Sequence, residues 1–431
     1  MTQTFPSLPL IGVEDARAVV LEHTHPMSTE HVALIESLGR VLAKDVASDI
    51  DISPFDNTAM DGFAVRFEDF AAAPPSENSP LTLSIIGIIG AGAVYEGTVQ
   101  KGQALRIMTG APLPEGADTI VKIEDTTVHG ESPEHPEGQQ VAFTHMPKQG
   151  QHIRPKGEEA RKGEVLLRAG ERVSAPGVGL LASTGNTEVA VYRRPRVAII
   201  STGSELVDVS RVPGPGQIRN SNSYSLAAAT LEAGAIPIIM PSVEDSRDTL
   251  VKALSTAAVE HDFIITSGGA AQGDYDFITP VVEEMGELFF NKVNMKPGKA
   301  QTFGIVNGIP LFGLPGNPAA ASVGFEILIR PALKKMQGIA ALSRPITKAV
   351  LTRAVKKREE RRFYLRARIA QNEGGSGSGA YYVTPETNQS SALLGALKSS
   401  NCLLIVPEGP EPLAEGALVD CLRLDMEEGT V

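Results

Sequence analysis

Arg196-Val-Ala-Ile-Ile-Ser-Thr-Gly-Ser-Glu-Leu206 runs from four aliphatic residues into a turn of hydroxyls and glycine that closes on an acid. An unbroken apolar run of this length is what a strand covered on both faces requires. The same texture continues downstream. Helical spacing covers 224–233, 248–259, 276–285 and 319–328, and strand-like runs cover 236–240, 262–266 and 309–314. Strands alternating with helices at these intervals predict a parallel α/β sheet, here within residues 179–332.

In such sheets ligands gather at the carboxyl ends of the strands, where helix N-termini offer free N–H groups to anions. Three strands end in unusual loops: Thr202-Gly-Ser-Glu-Leu206, Ser267-Gly-Gly-Ala-Ala-Gln-Gly-Asp-Tyr-Asp276 and Gly313-Leu-Pro-Gly-Asn-Pro318. Gly268 and Gly269 allow a backbone to approach a phosphate, and Asn317-Pro318 starts the next helix. Three such loops at consecutive strand ends favour an anion pocket over ordinary tight turns. Lys296 and Lys299 flank Pro297-Gly298, a bend that can aim both ammonium groups at one oxyanion. Two solvated lysines are the plainer alternative. Glu205, Asp274 and Asp276 place carboxylates near the same rim. Carboxylates beside a phosphate site repel it unless a cation lies between them, which suggests Mg²⁺. Helix capping by Asp276 and turn formation by Asp274 stay open on the residues alone.

Upstream, residues 13–21 and 29–38 carry apolar residues at helical spacing. The loop Ser53-Pro-Phe-Asp-Asn-Thr-Ala-Met-Asp-Gly-Phe-Ala-Val-Arg66 follows and runs into a strand over 62–65. Its Asp56 and Asp61 can hold a divalent cation or activate water, or they can cap turns. Strands are expected over 81–89, 104–108, 119–123 and 140–143, with exposed polar loops at 71–80 and 129–139. Arg106-Ile-Met-Thr-Gly-Ala-Pro-Leu-Pro-Glu-Gly-Ala-Asp118 reads, alone, as hairpin chemistry. The stretch 49–144 is thus an inserted β domain within a discontinuous N-terminal mixed domain, 1–48 and 145–178. Residues 345–431 form a C-terminal β domain, with a hairpin of 361–369 and 381–384 around 372–379 and further strands at 402–406 and 418–424.

At 431 residues the chain outgrows one core, and roughly three or four domains are expected. Its net charge of −12 argues against nucleic acid, which needs a basic face, but leaves room for a local cationic cluster. Aromatics at 5% and no Trp disfavour base-stacking platforms. No run of eighteen apolar residues appears and the first residues lack a basic, apolar leader, so no membrane span or signal peptide is expected. Cys402 and Cys421 are expected as buried thiols in a reducing, cytoplasmic setting. The eight histidines show no ligand spacing for Zn²⁺.

The segments PFDNTAMDGFAV, RIMTGAPLPEGAD, STGSEL, SGG…GDYDF, MKPGKA and GLPGNP occur in this order along nearly the whole chain. Together they resemble the molybdopterin molybdenumtransferase family, which includes bacterial MoeA and the E domain of gephyrin. The resemblance implies a four-domain subunit whose third domain has the molybdopterin-binding α/β fold. It also implies a homodimer with an active site between subunits. The implied reaction joins molybdate to adenylylated molybdopterin and releases AMP, assisted by Mg²⁺. The adenylyltransferase and acceptor molybdoenzymes are then possible partners. By resemblance the catalytic set is Asp61, Glu205, Asp245 and Asp276, with Asp61, Glu205 and Asp274 toward the metal. Substrate binding falls on Thr109, Ser267, Gly268, Gly269, Lys292, Lys296, Lys299, Pro315, Pro318, Arg366 and Ser391.

The chain departs from the family pattern at Ala271, where a hydroxyl is lost, at Glu159, where one carboxylate is longer, and at Ser390, which replaces a glycine. No departure deletes a charge, so an active enzyme is expected. Two rivals remain at this level: a molybdopterin adenylyltransferase, which shares the α/β domain, and a clustering scaffold of the gephyrin kind.

Overall fold

A computed structural model describes residues 8–129, 139–244, 246–269, 278–371 and 379–430. The aliphatic run after Arg196 forms the strand Arg196–Ser201, inside a six-stranded sheet. Val197 and Ile199 face one core while Ala198 and Ile200 face another, and all four are fully buried. That alternation explains the unbroken apolar reading, because both sheet faces are covered by helices. On one side lie Ser221–Glu232 and the helical run that begins at Pro318, on the other Arg247–Glu260 and Ile278–Met285.

The strand order is Ile236–Ile239, Arg196–Ser201, Phe263–Ser267, Ile309–Leu314, Ala300–Val306, Gly286–Lys292. The first four run parallel, as expected. The last two were not expected; Ala300–Val306 pairs antiparallel with both of its neighbours, Ile309–Leu314 and Gly286–Lys292. The hairpin that joins Ala300–Val306 to Ile309–Leu314 turns on Asn307-Gly308, both at positive φ (48° and 83°), with Val306 opposite Ile309. Asn-Gly between apolar runs is a strong two-residue hairpin signal, and it makes this sheet mixed.

Near the N-terminus the helix Val13–Glu22 forms as expected and sends Val13, Ala16 and Val20 into the α/β core. The helix expected over 29–38 does not form. Thr29–Ala33 is instead a strand, antiparallel to Glu188–Tyr192, and a short 3₁₀ turn Leu34–Ser37 follows. Cross-strand pairing overrode the helical spacing, and Ile35 and Leu38 are left exposed. The inserted unit is a six-stranded sheet around Phe63, Phe70 and Phe143. A helix, Phe67–Ala72, enters the first of the two expected polar loops, and residues 130–138 of the second lie outside the described residues. The short pairs Asn57–Thr58 with Ile153–Arg154, and Val46–Ala47 with Val165–Leu167, bring the chain back.

At the C-terminal end Arg362–Gln371 pairs with Tyr381–Pro385, the expected hairpin, and also with Cys402–Val406. The remaining pairings, through Ile346–Leu351 and Leu418–Arg423, close a five-stranded barrel. Closure removes free edges from a small sheet. Cys402 and Cys421 are buried free thiols on its adjacent strands. Met295–Lys296 adds parallel to Arg362–Gln371, so the loop from the α/β sheet is sewn onto the barrel. No described helix is long and apolar enough to cross a membrane.

Candidate functional site

The three glycine- and hydroxyl-rich loops meet at the carboxyl edge of the α/β sheet and form one wall of a cleft of about 1720 Å³. Backbone bonds sew them together. Thr202 N–H donates to the Ser267 carbonyl at 2.9 Å, and Gly268 N–H donates to the Leu314 carbonyl at 3.1 Å. Gly268 and Gly269 lie at φ +98° and +65°, and a side chain at Gly268 would collide with the Thr202 carbonyl. Glycine is therefore demanded here by sterics as well as by the turn. The Asn222 amide donates to Ser267 Oγ at 2.8 Å and to the Gly316 carbonyl at 2.9 Å, locking two loops together. Thr202 Oγ1 and Asn222 Oδ1 are buried and have no partner among the described residues, so the floor of the cleft keeps hydrogen-bonding capacity for a ligand.

The opposite wall belongs to the barrel, which contributes Arg353, Lys356, Arg361 and Arg366. Together with Lys296 and Lys299 they make the cleft cationic inside an acidic chain. Glu205 and Glu386 are the carboxylates among its described lining residues. Arg366 is completely buried, and its Nη2 donates to the Ser390 carbonyl at 2.9 Å. Gln389 bonds the Arg366 backbone from both sides, at 3.1 and 2.8 Å, so the 389–391 turn is held by this residue. Burial holds the Arg366 guanidinium below its ordinary pKa, and its Nε has no partner among the described residues. The Ser391 carbonyl accepts from Ala319 N–H at 2.9 Å, which docks the barrel on the start of the helix Pro318–Gly324.

Lys296 Nζ lies 2.6 Å from the Glu359 carboxylate and 4.9 Å from the centre of the Phe363 ring. Arg361 grips the other oxygen of Glu359, with Nε at 3.0 Å. The two cations, Lys296 first, hold the Glu359 carboxyl below its ordinary pKa. Lys299 makes no such ion pair among the described residues.

Of the residues expected in the site, Glu205, Ser267, Gly268, Gly269, Lys296, Lys299, Pro315, Pro318, Arg366 and Ser391 all line this cleft. Lys292 does not. It ends the strand Gly286–Lys292 opposite Ala300, before the loop turns into the cleft. Asp61 and Thr109 are brought together, but elsewhere, on the inserted sheet. Asp61 Oδ1 accepts from both the N–H and the hydroxyl of Thr109, each at 2.7 Å. Those two bonds, the backbone one first, hold the Asp61 carboxyl below its ordinary pKa. Asp245, Asp274 and Asp276 lie outside the described residues, as does Ala271. Among the described residues no three His, Cys, Asp or Glu converge as a metal cluster. Mg²⁺ ordinarily takes one or two carboxylates and completes its shell with water and substrate phosphate, a mode that Glu205 on the rim fits.

Sequence reading found Arg366 but missed Asn222 and the other barrel cations, Arg353, Lys356 and Arg361. The latter had a signal, the basic run Arg353-Ala-Val-Lys-Lys-Arg-Glu-Glu-Arg-Arg362, but only closure of the barrel turns it toward the lysines.

Residues 11–185 match the MoeA N-terminal region (domain I and II), residues 198–335 the probable molybdopterin binding domain, and residues 348–424 the MoeA C-terminal region (domain IV). A molybdopterin molybdenumtransferase of Bacillus subtilis is 38% identical over 97% of this chain and 95% of its own. One of Staphylococcus epidermidis is 34% identical over 96% and 95%. The crystal structure of the molybdopterin biosynthesis MoeA protein from Pyrococcus horikosii superposes with a TM-score of 0.80 at 31% identity, over 97% of this chain and 100% of the other. With three consecutive family matches, this identity along its whole length and the same fold, the chain belongs to the MoeA family of molybdopterin molybdenumtransferases.

Proposed function

We propose that this chain is a transferase of molybdenum cofactor biosynthesis that inserts molybdate into adenylylated molybdopterin and releases AMP. The single observation that carries the site assignment is the cation-lined cleft between the α/β sheet and the barrel. Both proposed substrates are polyanions, and charge-assisted bonds from Lys and Arg in a partly dry cleft are the interactions that hold them. Lys296 and Lys299 bind and orient oxyanions from one wall, and the barrel arginines do so from the other. Thr202 and Asn222 at the floor receive uncharged polar groups of the substrate. Two rivals, an adenylyltransferase and a clustering scaffold, are disfavoured by the match along the whole chain.

Mg²⁺ is proposed as the cofactor, with Glu205 as a ligand and Asp274, outside the described residues, as a second. When bound it would neutralise phosphate charge during AMP release. A homodimer is proposed because Asp61 and Thr109 lie exposed on the inserted sheet and do not line the cleft, so a second protomer is the means of presenting them to it. Buried thiols support a cytoplasmic, reducing location. The test is AMP release from adenylylated molybdopterin. It should require molybdate and a divalent cation together, and release independent of molybdate would overturn the assignment.

A further inference from the structure

The Asn222 amide fixes more than the spacing of two loops. It stands on the first turn of the helix Ser221–Glu232, whose cap is already supplied by Asn220, so the helix does not need it there. Its Nδ2 donates to Ser267 Oγ at 2.8 Å and to the Gly316 carbonyl at 2.9 Å. A carbonyl oxygen can only accept, so the bond to Gly316 settles that the nitrogen end of the amide, not the oxygen end, faces Ser267. The Ser267 hydroxyl then receives from Asn222, and its own proton is turned away from that partner. Ser267 closes the strand Phe263–Ser267, is 2% exposed at the floor of the cleft, and gives its proton to no acceptor among the described residues.

We propose that Asn222 is a positioning residue that sets the polarity of Ser267, fixing its hydroxyl as a hydrogen-bond donor to an unprotonated oxygen of the bound substrate. This inference rests on the reading of the cleft as the site of adenylylated molybdopterin. The surroundings fit an oxygen that brings electron density rather than a proton. Lys299 and Arg366 line the same cleft, and Gly268 and Gly269 let the backbone come close. A serine left free to rotate would spend part of its time with its lone pairs facing such an oxygen. Asn222 removes that choice before substrate arrives, so less ordering is left to be done on binding.

The alternative is that Asn222 only ties the loops together. Asn222→Asp separates the two roles, because the carboxylate keeps a bond to Ser267 but reverses it, taking the hydroxyl proton. The readout is the KM for adenylylated molybdopterin in AMP release by the full chain, with molybdate and a divalent cation saturating. Ser267→Ala should raise this KM about tenfold, the loss of one bond to a charged group. Asn222→Asp should raise it further, because the added charge also repels the substrate. The double variant should be no worse than Asn222→Asp alone, since Ser267 has already ceased to donate to substrate. In a mere tie the Ser267 bond counts the same in either direction, so the two losses multiply, and that outcome overturns the proposal. Should Asn222→Asp fail to fold, Ser267→Ala carries the test by itself, and a KM within about twofold of wild type overturns it. Failure of the cleft reading itself would look different: wild-type AMP release that needs no molybdate.

Discussion

The Asp61 carboxylate receives both hydrogen bonds that Thr109 can donate, from its backbone N–H and from its hydroxyl, each at 2.7 Å. Two charge-assisted donors on one oxygen favour the ionised form and lower the carboxyl pKa. The side chain is nonetheless exposed, so the charge is held ready at a surface rather than consumed in a core. Asp61→Asn should therefore lower AMP release far more than ligand binding, measured by turnover beside calorimetry. Turnover at the wild-type rate would remove Asp61 from the chemistry.

The same geometry gives a pH signature. With the pKa held down, activity that needs ionised Asp61 persists into acid and is lost only as pH falls through the lowered value. Thr109→Val removes the hydroxyl bond and keeps the N–H, so the acid limb of the pH–rate profile should move to higher pH. Thr109→Ser should restore it. An unmoved limb in Thr109→Val would mean that Asp61 does not set it.

Lys299→Ala should weaken molybdate binding by about ten- to a hundredfold, the range expected for one charge-assisted bond. The loss should shrink as ionic strength rises, because salt already screens the wild-type attraction. Titration calorimetry at two salt concentrations checks both statements, and an unchanged affinity would place Lys299 in solvent.

Arg366 is a buried guanidinium without a carboxylate bonded to it among the described residues, and its Nε is unsatisfied. Such a charge is costly in the empty protein and repaid when an anion arrives. Arg366→Met should leave the melting temperature of the ligand-free protein about where it was, or raise it, and abolish the rise caused by molybdate. A molybdate-induced rise that survives would confine Arg366 to bracing the 389–391 turn.

Glu428 closes the chain onto the α/β unit through Arg330 and Lys334, the latter at 3.3 Å, and all three side chains are buried. Burial raises the Glu428 carboxyl, but the Arg330 bond and charge outweigh it and bring the pKa down to about 2 from 4.5. Because the folded value is depressed, the stabilisation is complete above about pH 4.5 and is lost as pH falls toward about 2. Glu428→Ala should cost about 3–5 kcal/mol by denaturant unfolding at neutral pH, since Arg330 and Lys334 lose their close carboxylate and Glu326 faces Arg330 only at 3.9 Å. The mutant should also lose that part of the acid dependence. A loss under 1 kcal/mol would show that water relieves Arg330.

The sequence by itself determined what local chemistry can specify. Apolar runs that alternate between two cores placed the parallel strands, and glycines at Gly268 and Gly269 marked where backbone must pass Thr202. The loops at the strand ends, with Lys296 and Lys299, were legible as one wall of a single cleft for the same reason: their spacing is short and their conformational demands are intrinsic. Tertiary structure alone decided the rest, because it depends on what lies opposite in space. Thr29–Ala33 became a strand only through Glu188–Tyr192. Arg353 and Lys356 reached the cleft only through closure of the barrel, and Lys292 stopped short of it at the end of a strand. Lys296 gained Glu359 across sixty-three residues of chain, a pairing that no local pattern encodes, since an ion pair is specified by distance in space and leaves no period in the sequence.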